Sequence, residues 1–381
     1  MRISLAVLIG SLLVTMLLFF NFRSLNPVFS QLNEQNPIFQ RLGVFNDGGK
    51  IVAFKIVGDI AYVADWDHGL EILDISDPFN PVELSNCEVR YARGVELVDD
   101  IIYLSCNANG LLVFNVSDPS YPSKLDTYFA SDAHELIYKG DLGYLANWYN
   151  GIEILNLSNP SNLIRIGRFS DGGGVASLQI LDEIAYVAEY AKGLIILNIS
   201  NPIAPSKLGQ FYDGGESYKT CVIDNIAYVA DRRDGLEILD VSNPASPIEL
   251  GQYNDGGNAI GLYVAGSIAF VADWEDGLEI IDVSDPANPT EFAQYGRGTH
   301  DVHVIGNTAY IADADGFEII QIWDNQELSS ILSFEHSKTI DSPSFEFLFV
   351  VGGFVLLLMP TNKKKIANKI KRKSHEKQNN F

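Results

Sequence analysis

Two histidines, His134 and His300, occur at the same point of a repeated sequence pattern, and each is followed directly by a carboxylate. Other copies of the pattern carry further charged or aromatic residues at these two positions. The candidate ligand-binding set is Arg93, His134, Glu135, Tyr218, Lys219, His300 and Asp301. Two imidazoles and a carboxylate can hold a metal ion, transfer protons in acid–base catalysis, or bind a ligand. The alternative is a solvated group of charges that neutralise one another.

A second set of residues occupies short glycine-containing turns such as DWDHG and DWEDG. Their carboxylates suggest a calcium site, because Ca2+ prefers clustered oxygen ligands. The candidate ligands are Asp65, Asp67, Asp273 and Asp276. The EF-hand spacing is absent, however, and Asp before Gly is also what a tight turn requires sterically. Apart from this Ca2+ no cofactor is expected, and no residue is assigned as catalytic.

Three of the same turns carry a tryptophan, at Trp66, Trp148 and Trp274. Aromatic side chains on a rigid surface are typical anchors for a binding partner. With carboxylates nearby they also suit stacking against a sugar. The alternative is that the indole rings pack against the neighbouring repeat.

The repeated pattern itself determines where these residues lie. IAYVADWDHGLEILDISDPFNP begins at residue 60, IAYVADRRDGLEILDVSNPASP at 226 and IAFVADWEDGLEIIDVSDPANP at 268. The aromatic residue of this pattern recurs at Tyr62, Tyr103, Tyr144, Tyr186, Tyr228, Phe270 and Tyr310. Seven copies with a period near forty residues indicate a repeat architecture.

Each copy contains four short runs rich in Val, Ile, Leu and Tyr, bounded by turn-forming residues, and no helical periodicity. This pattern predicts an all-β fold, a seven-bladed β-propeller of four-stranded blades. Residues 38–46 resemble an outermost strand and are expected to pair beside residues 317–323, which closes the ring.

In such a propeller the candidate ligand-binding residues surround the opening of the central channel, and the turns lie on the same face. Val52 and Ile260 occupy the position of the two histidines in other repeats. The fold therefore does not require imidazole there. We expect both histidines to be solvated, and their joint replacement by alanine to change stability by less than about 0.5 kcal/mol.

Repeats of the type AYVAD…GLEILDISNP resemble the LVIVD-repeat proteins, a family of predicted β-propellers common on prokaryotic cell surfaces. The resemblance covers the whole repeat region. It implies architecture and location more than chemistry.

The two ends of the chain have a different composition. Residues 3–20 carry no charge, and an apolar run at 347–359 precedes a lysine-rich tail. Each of the two runs is expected to form a hydrophobic helix, so that one helix flanks the propeller at each end. The basic tail is expected to stay in the cytoplasm. The predicted organisation is a signal peptide or N-terminal anchor at 1–26, a propeller at 38–324, a linker at 325–343, a transmembrane or sorting segment at 344–360 and a basic cytoplasmic tail at 361–381.

The part of the chain between residues 27 and 342 holds 16 basic and 47 acidic residues, a balance of −31. Such a surface repels nucleic acid and anionic lipid. The three cysteines, Cys87, Cys106 and Cys221, lack metal-ligand spacing. Whether Cys87 and Cys106 form a disulfide is left undecided, since an extracellular propeller would permit it. We expect a non-enzymatic, membrane-anchored extracytoplasmic module that binds a protein or glycan through its acidic loops. The alternative is a surface enzyme, a metal-assisted hydrolase or lyase.

The predicted topology can be tested on intact cells. Added protease should cleave the propeller and spare an epitope tag placed on the lysine-rich tail, because the tail is expected on the cytoplasmic side of the membrane. Lysed cells, in which the tag should also be degraded, provide the control. Protection of the propeller in intact cells would contradict the predicted orientation.

Overall fold

The computed structural model describes residues 39–322, 350–351 and 354–355. Within these residues the regular elements are strands, and none belongs to a helix of the length and apolarity that a membrane crossing requires. The predicted N-terminal helix lies outside the described residues. So does the predicted C-terminal one, apart from Val350–Val351 and Phe354–Val355, which pair as two short antiparallel strands. The chain divides into two compact units, at 1–336 and 337–381.

The first unit contains 28 of the strands, numbered here β1 to β28 in chain order, and they form seven four-stranded sheets. The innermost strands of the seven blades are β2 (Ile51–Val57), β6 (Gly94–Val98), β10 (Ala133–Lys139), β14 (Val175–Leu181), β18 (Lys219–Ile223), β22 (Ala259–Ala265) and β26 (Asp301–Ile305). The second strands are β3 (Ile60–Asp65), β7 (Ile101–Ser105), β11 (Leu142–Asn147), β15 (Ile184–Glu189), β19 (Ile226–Asp231), β23 (Ile268–Asp273) and β27 (Thr308–Asp313).

The third strands are β4 (Gly69–Asp74), β8 (Leu111–Asn115), β12 (Gly151–Asn156), β16 (Gly193–Asn198), β20 (Gly235–Asp240), β24 (Gly277–Asp282) and β28 (Gly316–Ile322). The outermost strands are β5 (Val82–Glu88), β9 (Ser123–Tyr128), β13 (Ile164–Phe169), β17 (Ser206–Phe211), β21 (Ile248–Tyr253), β25 (Thr290–Tyr295) and, from the start of the chain, β1 (Phe39–Phe45). Blades 1 to 7 are named after the order of their innermost strands. The predicted seven-bladed propeller is confirmed.

The core lies between neighbouring blades. The second and third strands are apolar on both alternations, and almost all of their residues are buried, because each sheet is covered on both faces. One cluster joins Tyr103 and Val113 of blade 2 to Leu136, Leu145 and Leu155 of blade 3. Burying each such side chain contributes roughly 1.5–3 kcal/mol. The outermost strands are polar and half-exposed, as expected for strands at the rim.

The glycine that opens most third strands has a steric cause. Gly69 has φ +103°, a left-handed conformation in which a β-carbon would lie 2.4 Å from the carbonyl oxygen of Cys87. Only glycine allows the outermost strand to approach so closely. The three cysteines are free, so the disulfide left open between Cys87 and Cys106 is absent.

The first strand closes the ring. β1 pairs antiparallel with β28, from Phe39 opposite Ile322 to Phe45 opposite Phe317, so the two ends of the propeller complete blade 7 together. The guanidinium of Arg41 reinforces this pairing, with Nη1 2.6 Å from Oε1 of the buried Glu318. The predicted closure is therefore present, and blade 7 has no unpaired third strand.

Candidate binding site at the channel mouth

A ring of seven equivalent residues surrounds the opening of the central channel, and it is called the inner ring. Its members are Val52, Arg93, His134, Ala176, Tyr218, Ile260 and His300. In blades 1, 3, 4 and 6 this residue is the extra residue of a β-bulge, which turns its side chain away from the regular alternation. In the other three blades it directly precedes the innermost strand. The bulge explains why two consecutive positions face the channel.

The predicted ligand-binding residues are brought together by this geometry. One cavity of about 480 Å³ inside the channel is lined by all seven of them. Four belong to the inner ring, and the other three, Glu135, Lys219 and Asp301, each come directly after a ring residue in the sequence. The cavity is enclosed by the innermost strands, so a rigid scaffold positions its side chains.

A second ring lies above the first, in the turns between the second and third strands, and it is called the outer ring. Its members are Trp66, Asn107, Trp148, Tyr190, Arg232, Trp274 and Ala314. A second cavity of about 330 Å³ opens here, lined by Arg93, Trp148, Tyr190, Tyr218, Arg232, Ile260, Trp274 and His300. The tryptophans were expected here from the sequence, whereas Tyr190 and Arg232 were not. Their signal was available, because they occupy the same repeat position as the tryptophans.

Two of the tryptophans stack on the two histidines. The ring centroids of His134 and Trp148 are 4.9 Å apart, and those of His300 and Trp274 are 4.3 Å apart, both with nearly parallel planes. Trp148 also packs against Tyr190 at 4.9 Å. The indoles therefore pack within the mouth, as the alternative interpretation holds, while Trp274 still exposes 41% of its surface.

The expectation that both histidines are solvated is wrong for His134, which is only 6% exposed. Burial lowers its pKa, and it lowers the pKa of His300 to about 3 with the help of the nearby cations Lys50 and Arg93. Both imidazoles are neutral at pH 7. Replacing His134 by alanine removes a buried ring from its stack, so we now expect this replacement to lower stability rather than leave it unchanged.

The centre of the mouth carries positive charge. Arg93 reaches from blade 2 across the channel to blade 5, where Nη2 donates a hydrogen bond to the hydroxyl of Tyr218. Its Cζ lies 5.9 Å from the ring centroid of Trp66, and the Nζ of Lys50 lies 4.6 Å over the ring of Trp274. Between residues 39 and 322, neither Lys50 nor Arg93 has a carboxylate within 4.0 Å.

Burial lowers the pKa of Arg93 to about 10 and also lowers the pKa of Lys50, which faces the additional repulsion of Arg93. Both side chains remain cationic at pH 7. Arg232 adds a third cation, shared between the hydroxyl of Tyr190 at 2.8 Å and the carboxylate of Glu216 at 3.2 Å. The mouth is thus an aromatic cup with cations whose charge is only partly neutralised.

Deeper in the channel the charges neutralise one another. Lys219 Nζ lies 2.5 Å from Oε1 of Glu135. Burial alone would lower the pKa of Lys219, but Glu135 and Asp301 outweigh it and raise that pKa above its ordinary value. Asp301 also accepts the backbone N–H of Val302 at 3.0 Å and of Phe54, in the next blade, at 3.4 Å. Asp301 therefore joins blade 7 to blade 1, and Glu135 joins blade 3 to blade 5.

A metal centre built from both histidines and a carboxylate does not form. Among the described residues, the one group of at least three His, Cys, Asp or Glu side chains with ligand atoms within 4.8 Å of one another lies in blade 1, outside the channel. In the described part of the chain, His134 and His300 therefore do not belong to such a group of ligand atoms.

The four predicted calcium ligands are not brought together either. Asp65 and Asp273 are buried in blades 1 and 6, and each accepts two backbone N–H groups of its own turn at 2.7–2.9 Å. Asp67 is exposed and Asp276 is half-buried. Asp65 and Asp273 therefore close their turns, which is the alternative role considered for these residues from the sequence.

Glutamates beneath these turns make the loop face less negative than its composition indicates. Glu237 and Glu279 are 2% and 3% exposed. Burial, with the neighbouring carboxylates Asp231 and Asp213 for Glu237 and Asp255 and Asp273 for Glu279, raises the pKa of each glutamate to about 9. Both are protonated at pH 7.

The fold and the two rings define a seven-bladed β-propeller whose candidate site lies on its loop face. The LVIVD repeat model matches seven consecutive segments of the chain, at 48–89, 89–129, 130–171, 172–213, 214–255, 256–296 and 296–333. The chain belongs to the LVIVD repeat family. No curated protein matches the chain.

Several solved structures have a similar fold. The computationally designed Ika8 protein is 11% identical, with a TM-score of 0.55, and the match covers 74% of this chain and 99% of that one. The WD40 β-propeller domain of Doa1 is 8% identical, with a TM-score of 0.61 and coverage of 76% and 98%. The β-propeller domain of Myceliophteria thermophila Cps50 (Swd1) is 8% identical, with a TM-score of 0.59 and coverage of 75% and 100%. At these identities the similarity shows the fold alone.

The buried glutamates predict a pH dependence of stability. A folded-state pKa of about 9 exceeds the ordinary value of 4.5, so the stabilising protonated form is fully present below pH 4.5 and is lost as the pH rises through about 9. The melting temperature should fall between about pH 7 and about pH 9, and Glu237→Gln with Glu279→Gln should flatten this decline. The exposed Glu83→Gln provides the control. An unchanged slope in the double variant would contradict the assignment.

Proposed function

We propose that the propeller is a binding module that takes an acidic glycan, one with carboxylate-bearing sugars, at the mouth of its channel. The observation that carries this proposal is the pair of cations Lys50 and Arg93, which lie in an aromatic cup without a carboxylate within 4.0 Å in the described part of the chain. A partly desolvated cation gains most from an anion that the ligand supplies.

The aromatic residues of the cup fit the rest of a sugar. Trp148, Tyr190 and Trp274 line the outer cavity together with Arg93 and Arg232. The faces of these rings carry the negative part of the aromatic quadrupole, which favours contact with the C–H groups on one face of a pyranose. Arg93 and Arg232 offer paired N–H donors that match the two oxygens of a carboxylate.

The shape of the site favours a small ligand or the end of a chain over a flat protein surface. Ligand pockets are concave and of the order of 300–1,000 Å³, and the outer cavity has a volume of about 330 Å³. A protein partner would instead need roughly 800 Å² of surface.

Exposed aromatic residues elsewhere on the same face extend the surface that a longer glycan can contact. Phe129 is 88% exposed, Tyr149 71% and Tyr212 51%. All three lie in loops of the same face as the outer ring. Exposed aromatic side chains on a rigid face are typical of a binding surface.

We propose further that the propeller is displayed outside the cytoplasm and anchored to the membrane. This part of the proposal rests on the apolar runs at 3–20 and 347–359 and on the basic tail that follows the second run. A propeller outside the cytoplasm is exposed to the polysaccharides of cell surfaces and of the surrounding medium. This location agrees with an acidic glycan as the ligand.

The ligand can be tested with two matched probes, an oligogalacturonate and the galactose oligomer of the same length, in calorimetric titrations of the purified full-length chain. The oligogalacturonate should bind at least about tenfold more tightly, a difference of roughly 1.4 kcal/mol, because the two probes differ only in the carboxylate. Raising the salt concentration should weaken this preference.

Two variants locate the site. Arg93→Gln should lower the affinity for oligogalacturonate by about tenfold or more, while Lys124→Gln, on an exposed part of an outermost strand, should leave it unchanged. Thermal melts of both variants verify that each is folded. Equal affinity for the acidic and neutral oligomers, or unchanged affinity in Arg93→Gln, would contradict the proposal. Binding of an acidic peptide but neither sugar would show that the mouth recognises a protein.

A further inference from the structure

A cluster of four metal-ligating side chains lies in blade 1, away from the channel. It is called the blade 1 cluster, and it consists of Asp47, Asp65, His68 and Glu71. Each member offers a ligand atom, and these atoms all lie within 4.8 Å of one another. The cluster joins the loop between β1 and β2 to the turn between β3 and β4.

The imidazole of His68 faces the three carboxylates. Its Nδ1 lies 2.5 Å from Oδ2 of Asp47, 3.7 Å from Oε1 of Glu71 and 3.9 Å from Oδ1 of Asp65. None of these contacts has hydrogen-bond geometry, and this nitrogen is buried without a hydrogen-bond partner. The turn that carries the imidazole is fixed, because the backbone N–H of His68 donates to Oδ1 of Asp65 at 2.7 Å.

The carboxylate of Glu71 supplies an independent observation. Glu71 is completely buried, and neither of its carboxyl oxygens has a hydrogen-bond partner. Oδ2 of the buried Asp65 is in the same state. A buried carboxylate without partners costs several kcal/mol unless a cation or proton compensates it.

We propose that the blade 1 cluster binds a divalent first-row transition-metal ion, and that Zn2+ is the ion its donor set suits best. One imidazole nitrogen and three carboxylate oxygens make a four-coordinate set, which Zn2+ prefers. In a zinc tetrahedron with bonds of 2.0–2.2 Å, neighbouring ligand atoms lie roughly 3.4 Å apart. The distances from Nδ1 of His68 to the three carboxylates, which run from 2.5 to 3.9 Å, include this value. These ligands differ from the calcium ligands expected from sequence, of which only Asp65 belongs to the cluster.

Blades 5 and 6 show what is particular to blade 1. They contain equivalent carboxylates, Asp213, Asp231 and Glu237 in blade 5 and Asp255, Asp273 and Glu279 in blade 6. The residue at the position of His68 is Asp234 or Asp276, and neither blade brings its group within 4.8 Å. In blade 1 the imidazole adds a nitrogen ligand and the atoms converge.

A metal ion at this place would act on the closure of the propeller. Asp47 follows β1, which belongs to blade 7, whereas the other three ligands belong to blade 1. Bound metal would therefore hold the loop after the closing strand to the next blade. An ion that binds only the folded state raises its stability.

The full-length chain, stripped with EDTA and titrated with ZnCl2 or CaCl2 by calorimetry, tests the proposal. Zn2+ should bind with a component that raises the melting temperature, and Ca2+ should bind at least about tenfold more weakly because the nitrogen ligand does not suit it. Glu71→Gln should weaken this Zn2+ component by about tenfold or more, whereas the matched variant Glu237→Gln should leave it unchanged.

His68→Asn provides a second variant that is expected to fold, since Asn109 and Asn150 occupy the same turn position in blades 2 and 3. It should lose the same Zn2+ component. Metal-free melts of all variants separate folding from metal binding. Zn2+ titrations identical in wild type, Glu71→Gln and His68→Asn would overturn the proposal and leave a shared proton as the compensation. Equal affinity for Ca2+ would overturn the choice of ion.

Discussion

The backbone pairing between β1 and β28 is the interaction on which the rest of the structure depends. It joins the beginning of the propeller to its end, and the Arg41–Glu318 side-chain contact within it spans 277 positions of the chain. Without β1 the third strand of blade 7 would present unpaired N–H and C=O groups at an open edge. With it, each blade packs against two neighbours. The entropic cost of closing so long a loop grows only slowly with its length, so one strand is sufficient to fix the ring.

Closure of the ring brings equivalent positions of the seven blades together in one site. The same backbone position of every blade is brought to the channel mouth, where the side chain varies from Val52 to Arg93 to His300 without a change in the strands. The bulge at this position in four blades directs the side chain inward. Residues that contact one another across the mouth, such as Arg93 and Tyr218, come from blades that are not neighbours. The mouth therefore exists only when the ring is complete.

The seven blades, their four strands and the closing strand followed from the sequence because they depend on local patterns that repeat. The residues that surround the mouth followed from the same register. What did not follow is side-chain placement. The stacking of His134 under Trp148 and the burial of Asp65 depend on rotamers and on neighbouring blades, which the period of a pattern does not specify. The positive charge of the mouth could not be predicted from the negative composition of the loops either. Several of the carboxylates lie buried beneath the turns, and Glu237 and Glu279 among them are protonated at pH 7.

Hydrogen–deuterium exchange, measured peptide by peptide on the full-length chain, tests the closure most directly. If β1 completes blade 7, the amides of Phe39–Phe45 that pair with β28 should be protected to the same degree as those of the equivalent outermost strands β17, β21 and β25. Exchange in Phe39–Phe45 as fast as in an unstructured peptide, with the three other outermost strands still protected, would contradict a ring closed by the first strand.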